Sequence, residues 1–427
     1  MSQAWEEGPE EPLSEAAAEA YVASTCFKTG PPGLLGLELE FVVVHDRDWT
    51  TTVDHDRVLK ILESLPALPA GGALTLEPGG QVELSTRTAP DLDSLLVDAS
   101  LDLTELRAAF SAEGIELVGT GLDPVRAPRR VLQQPRYVEM ERSFARWGIH
   151  GRTMMCSTAA VQLTVDAGTD SDSAPDGYAA RWDLLHAIGP TLVAAFANSP
   201  LREGRPTGWK SARQQAWLGF DRSRTASVHR PSVGRRSSGA DLRAAYADYA
   251  LDAGLLLVRS DGPDWRAPEG LTFRDWVRGA WRSIEGLRAP VRRDLDYHLT
   301  TLFPPVRARG PVEVRYIDAQ PGDRWRVPAA VVTTLLDDPI AGERARAAVE
   351  PVVDSWAVAA RCGLDDHALA QAAVECLSAA SDGLRRLEAC ADVVSDVDSY
   401  LECFTSRGLC PADQQLQDVD VRESQAC

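Results

Sequence analysis

The sequence predicts an α/β protein of the α+β kind: a β-sheet with one polar face, covered by helices and followed by a helical C-terminal part. Three observations predict it. Four short segments alternate apolar and polar residues with a period of two, which puts their polar side chains on one face of a strand. Leucine- and alanine-rich stretches at helical spacing lie between them. Beyond Pro328, placed where a helix can start, the chain stays alanine-rich and helix-favouring to about residue 406.

From the N-terminus, residues 1 to about 30 read as an acidic leader with an alanine-rich helix from Ser14, ended by Pro31, Pro32 and Gly33. The first strand covers 36–44, with Glu38 and Glu40 on one face and Leu37, Leu39 and Phe41 on the other. Residues 74–77 and 81–86 follow, joined by Pro78, Gly79 and Gly80, a composition suited to a tight turn that brings Glu77 close to Glu83. Over 91–113, Leu92, Leu95, Leu96, Ala99, Leu103 and Leu106 recur at helical spacing, with Gly114 at the C-cap position. In 160–165, Gln162 and Thr164 alternate with apolar neighbours, and in 312–317 Glu313 and Arg315 share a face. Residues 178–198 and 240–258 read as helices, whereas 199–239, rich in Gly, Pro, Ser and Arg, reads as a long loop region. The tail 407–427 is expected to be disordered: residues 388–427 carry nine acids against Arg407 and Arg422, with little apolar content beyond Cys410.

If the strands join one sheet with their apolar sides under helices, the other face gathers Glu38, Glu40, Glu77, Glu83 and Glu313. Five carboxylates so close repel one another, and some hold protons unless cations are present. Hard divalent cations relieve that repulsion, and Mg²⁺ takes carboxylate oxygens while keeping positions for substrate phosphates. An antiparallel sheet with one solvated face produces the same alternation, so the pattern alone leaves both readings open. A second signal is local charge: between Arg202 and Arg236, nine basic residues stand against Glu203 and Asp221. Arginine grips carboxylates and phosphates in bidentate fashion, which suits an anionic substrate; pairing with surplus acid elsewhere on the surface is the alternative. There is no Gly-x-Gly-x-x-Gly after a strand and no Walker A sequence, so any ATP would be held by metal ions and arginines.

Composition narrows the classes further. The 427 residues carry a formal charge of −19, which argues against a nucleic-acid partner. The N-terminus is acidic where a secretory signal is basic, and no uninterrupted apolar stretch approaches a membrane span, so a cytoplasmic protein without membrane contact is expected. Eight cysteines form no Cys-x-x-Cys pair and read as reduced thiols. Cys376 and Cys390, fourteen apart, would share a face of one helix. Met154, Met155, Trp265, Trp276 and Trp281 read as core residues.

Taken jointly, residues 76–85, residues 136–140, Met154 and Met155 followed by Gln162, and residues 297–304 followed by Glu313 and Arg315 resemble the plant-type glutamate-cysteine ligases, in order from about residue 34 to 340. That family belongs with glutamine synthetase in a carboxylate-amine ligase superfamily, and the sequence is most similar to its actinobacterial branch, which supplies γ-glutamylcysteine for ergothioneine. The resemblance implies a bent, mainly antiparallel sheet whose concave face is the active site, a catalytic domain over 31–340, and helices over 341–406 packed on it. It implies Mg²⁺ as cofactor, with L-glutamate, L-cysteine and ATP as substrates; a monomer or weak homodimer is expected. Position by position, it implies Glu38, Glu40, Glu77, Glu83 and Glu313 as metal ligands and Arg315 as the catalytic arginine near the transferring phosphate. Arg213 and Gln162 match substrate-binding positions, and Arg224 and His298 match ATP contacts, although a packed histidine beside a Pro-rich turn explains His298 equally well. Tyr297 stands where plant enzymes carry an acid, residues 205–225 match loosely, and the plant regulatory disulfides have no counterpart. Two rivals stay in view: a ligase with another amine acceptor, and a catalytically silent binding protein on the same fold. All six matched glutamate and arginine positions are filled, which speaks against the second.

Overall fold

The protein is described by a computed structural model covering residues 11–30, 33–46, 48–172, 174–228 and 239–426. Seven strands form one open antiparallel sheet: β1 (Leu35–His45), β2 (Ala73–Leu76), β3 (Val82–Ser85), β4 (Ile115–Val118), β5 (Ala160–Val165), β8 (Val306–Ala308) and β9 (Val312–Asp318). A separate hairpin of two-residue strands, β6 (Leu201–Arg202) and β7 (Arg205–Pro206), lies outside it. The strand order is β2-β3-β1-β5-β9-β8, with β4 paired to the second half of β1. Register places Glu40 opposite Glu83, Glu38 opposite Gln162, and Thr164 opposite Glu313. Between β5 and β9 a bulge intervenes: Leu163 faces Val314 and Val161 faces Ile317, so Arg315 and Tyr316 both lie across from Gln162.

The sheet's other face supplies the core. Leu35, Leu37, Leu39 and Phe41 of β1 pack with Leu95, Leu96, Ala99, Leu103, Leu106 and Phe110 of the Leu92–Ala112 helix. Each leucine or phenylalanine among them contributes about 1.5–3 kcal/mol when removed from water, before chain entropy is charged against it. Asp91 caps this helix by accepting from the Ser94 amide at 2.7 Å, and Gly114 follows its end at φ +67°.

The predicted hairpin forms, and its turn explains its glycines. The Glu77 and Gly80 amides bond within the turn, Gly80 adopts φ +90°, and a Cβ on Gly79 would lie 1.9 Å from the Cys156 carbonyl oxygen. Elsewhere the structure corrects the sequence reading. Residues 178–198 make two helices, Tyr178–Ala187 and Gly189–Ala195, broken where Gly189 and Pro190 follow Ile188. The second predicted helix is Gly239–Asp252, shorter than expected. The long loop region contains the Ala212–Leu218 helix, capped by Ser211, and a turn of helix at Arg222–Thr225; Arg230, Arg235 and Arg236 lie outside the described residues, as do residues 1–10 with Pro31 and Pro32.

The tail is not a disordered segment from residue 407: a helix runs from Pro411 to Ala426. Long-range partners anchor its start, since Cys410 and Ala412 are buried, Lys210 pairs with Asp413, and Gln415 donates to Asn198. Cys376 is buried in the His367–Arg386 helix, but that helix ends before Cys390, which is exposed, so the two do not share a helical face. The seven cysteines among the described residues are all free thiols. No helix among the described residues is long and apolar enough to cross a membrane.

Candidate active site

Strand alternation and the hairpin bring three carboxylates together. Glu40 from β1, Glu83 from β3 and Glu77 from the turn each offer one oxygen, and these oxygens lie within 4.8 Å of one another. Thr75 and Ser85 donate to Glu83 Oε1 at 2.8 and 3.0 Å, and Gln162 Nε2 donates to Glu40 Oε1 at 2.6 Å. Burial, then the nearby Glu83 carboxylate, pushes Glu77 up to about 8. Burial, with Glu77 and Glu83 beside it, holds Glu40 well above the usual carboxylate range. Glu38 rises to about 7, first through burial and then through Glu313 and Glu83. Groups so perturbed gain from a hard cation, which replaces protons as the counter-charge. The donor set is all oxygen, and it fits Mg²⁺ or a similar ion.

Glu313 has a different environment from the other four. Arg307 on β8 grips it in bidentate fashion, Nε to Oε2 at 2.6 Å and Nη2 to Oε1 at 3.0 Å, while Arg315 Nη1 lies 3.1 Å from Oε2. Burial alone would raise its pKa, but the two guanidiniums outweigh that and hold it at about 2. It is therefore an ion-pair hub in this structure, joined to the cluster through Glu38. A cation at Glu313 would compete with these two arginines for its oxygens. Arg307 was missed by sequence reading because β8 has only three residues and follows Pro304 and Pro305; the alternation Val306, Arg307, Ala308 is its one local signal.

Arg213, from the Ala212–Leu218 helix, reaches the same face. Its Nη2 donates to the Arg315 carbonyl at 2.6 Å, and its guanidinium lies 5.7 Å from the Trp217 ring centroid. Only 2% of it is exposed, yet Nε and Nη1 have no hydrogen-bond partner, and Arg315 Nε is likewise buried and unpartnered. Buried donors without acceptors are costly, and an anionic ligand would satisfy them. Gln162 Oε1 is also unpartnered. Asp318, another residue the sequence reading missed, lies 3.8 Å from Arg213 Nη1 and accepts from the Ser199 and Ser211 hydroxyls at 2.7 and 2.9 Å. Beside Arg315 opens a cavity of 290 Å³ with Trp217, Phe303 and Trp356 in its wall. A second, of 410 Å³, adjoins the Gly79–Gly80–Gln81 turn.

Arg224 and His298 are not brought to this face. Arg224 spends its donors on Asp221, the Thr301 carbonyl and the Gly254 carbonyl at 2.9, 2.8 and 2.6 Å. His298 Nε2 meets the Ala250 carbonyl at 2.8 Å, and burial, aided by Arg224, pulls its pKa down to about 3. Both turn these donors to protein partners away from the carboxylate cluster, so the structure does not bring them together with the other predicted site residues. Met154, Met155 and Trp276 are buried, as expected of core residues.

The chain is similar to known proteins along most of its length. The chain matches glutamate-cysteine ligase family 2 (GCS2) over residues 34–425. It is 41% identical over 404 residues to the glutamate-cysteine ligase EgtA of Mycobacterium tuberculosis, covering 94% of this chain and 89% of that one. It is 40% identical over 380 residues to EgtA of Mycolicibacterium smegmatis, covering 88% and 86%. A chloroplastic glutamate-cysteine ligase of Medicago truncatula is 29% identical over 354 residues, covering 79% and 65%. A carboxylate row ending in paired arginines, on a chain matched along nearly its whole length, makes this protein a member of glutamate-cysteine ligase family 2.

Proposed function

We propose that this ligase joins L-glutamate to L-cysteine with ATP, forming γ-glutamylcysteine through γ-glutamyl phosphate. The observation that carries the reading is the juxtaposition of three clustered carboxylates with Arg213 and Arg315, whose buried donors lack acceptors. An oxygen of the glutamate γ-carboxylate attacks the γ-phosphorus of ATP, and the bond from that phosphorus to the β,γ-bridging oxygen breaks, releasing ADP. The cysteine amine then attacks the acyl carbon, phosphate leaves, and the amine loses a proton. Phosphoryl transfer of this kind needs positioning and charge neutralisation more than covalent help.

Glu40, Glu77 and Glu83 would hold Mg²⁺, with Glu38 adjoining. When bound, the ion supplies neutralisation of phosphate charge. Arg315 is oriented by Glu313 and aims its free donor at the transferring group, while Arg213 binds the glutamate substrate and Gln162 fixes Glu40. The cavity beside Arg315 offers room for a ligand next to the proposed catalytic arginine. Seven described cysteines left as thiols fit a reducing, cytoplasmic setting. Supply of γ-glutamylcysteine to ergothioneine synthesis is the pathway role that follows from the family branch.

Purified protein with ATP, Mg²⁺, L-glutamate and L-cysteine should release ADP and form γ-glutamylcysteine. ADP release that needs another amine in place of cysteine would overturn the acceptor assignment; no ADP release with any amine would overturn the reading as a whole.

A further inference from the structure

The C-terminal helix lies behind Arg213 and holds both segments that position it. The first segment is Asn198–Ser199. Gln415 Nε2 donates to Asn198 Oδ1 at 2.7 Å and lies 3.2 Å from the Asn198 carbonyl oxygen, while the Ala412 amide bonds to the Ala197 carbonyl at 2.9 Å. The Asn198 amide and the Ser199 hydroxyl both donate to Asp318 Oδ2, at 2.9 and 2.7 Å, and the Arg213 amide donates to Ser199 Oγ at 3.1 Å. The second segment is Lys210–Ser211. Lys210 pairs with Asp413 of the same helix and lies 3.0 Å from Asp365, and Ser211 Oγ donates to Asp318 Oδ1 at 2.9 Å. Every side-chain donor to Asp318, the acid that faces Arg213, therefore sits on a segment clamped by Asp413 or Gln415.

We infer that Asp413 and Gln415 are positioning residues for L-glutamate binding: they fix Asn198–Ser199 and Lys210–Ser211, and through Asp318 they set the direction of the Arg213 guanidinium. The inference rests on the proposed role of Arg213. The guanidinium keeps two buried donors without acceptors, so its aim decides whether a carboxylate is met by a forked pair or by a single bond. Gln415 is half-buried at the edge of this arrangement, far enough out for replacement to leave the core packing intact.

The test is a double-mutant cycle on steady-state kinetics of the full chain. Gln415→Ala should raise the KM for L-glutamate roughly fivefold, the loss of about one hydrogen bond, with kcat and the KM for ATP within twofold of wild type. Asp413→Asn, a second and independent route to the same clamp, should act in the same direction. In an Arg213→Ala background neither substitution should raise the glutamate KM further, because the group they aim is gone. Equal rises for ATP and glutamate, or full additivity with Arg213→Ala, would overturn the positioning role and mark the helix as general scaffolding. If Arg213→Ala itself leaves the glutamate KM unchanged, the role of Arg213 fails first, and the inference fails with it.

Discussion

Glu77→Gln should stabilise the metal-free protein. The unfolded chain releases the Glu77 proton near pH 4.5, the folded protein only near 8. Between those values the unfolded state is ionised while the folded state still holds its proton, so wild-type stability falls as pH rises from 4.5 to 8; below 4.5 the two states match at this group. The span of about 3.5 pH units corresponds to an upper bound of about 4–5 kcal/mol at 1.36 kcal/mol per unit. Protein atoms crowd Glu77 closely enough for burial to dominate its shift, yet part of the residue still meets solvent. Screening trims the figure to about 2–3 kcal/mol. Unfolding entropy for 427 residues is roughly 0.9 kcal/mol/K, so the variant should melt about 2–3 °C above wild type at pH 8 and well under about 1 °C above it at pH 5. Thermal melts in chelator across pH 5–9, repeated with saturating MgCl₂, make the measurement. Mg²⁺ should raise the wild-type Tm and move the variant much less. A metal-free variant that melts at or below wild type at pH 8, or equal Mg²⁺ shifts in both proteins, would refute the claim that burial, with the neighbouring carboxylates, leaves Glu77 short of a counter-charge that a cation supplies.

Two further outcomes are expected. Arg315→Lys should lower kcat by roughly 100-fold, since an ammonium cannot both pair with Glu313 and present a forked donor to a phosphoryl group; turnover within threefold of wild type by ADP release would remove Arg315 from the chemistry. Arg224→Lys should cost about 2–3 kcal/mol in denaturant melts, because carbonyls of Thr301 and Gly254 lose their donors, while the KM for ATP stays put. A raised ATP KM at unchanged stability would instead support a nucleotide contact for Arg224.

What could be read from the sequence was what period two reveals. The long strand β1 and the hairpin announce themselves because each polar residue is flanked by apolar neighbours, so Glu38, Glu40, Glu77 and Glu83 were legible as one group. Glu313 was legible as a member of the face but not as a hub, because its partner Arg307 sits on a three-residue strand behind two prolines, too short for alternation to register. Arg224 and His298 matched family positions, yet which carbonyls claim their donors depends on residues 30 to 77 positions away. The tail misled for a similar reason: its local composition is acidic and polar, and its anchors, Lys210 and Asn198, are more than 200 residues distant.

The bulge in β9 has a consequence for how this strand tolerates changes in length. Counting by twos from Glu313 and Arg315 would assign odd numbers to the ionic side and leave Asp318 among the apolar residues. Because Arg315 and Tyr316 share one partner position, the phase resets: Tyr316 and Ile317 both turn to the core, and Asp318 returns to the side of Glu313, within reach of Arg213. Gain or loss of one residue at most points along β9 would exchange its ionic side for its apolar one without changing composition. At Arg315–Tyr316 alone the strand already carries a spare residue, so a deletion of Tyr316 would restore regular pairing and keep every facing. It would forfeit a buried ring with its contact to Trp356, its bond to the Leu185 carbonyl, and the bond its own carbonyl accepts from Gln214 Nε2.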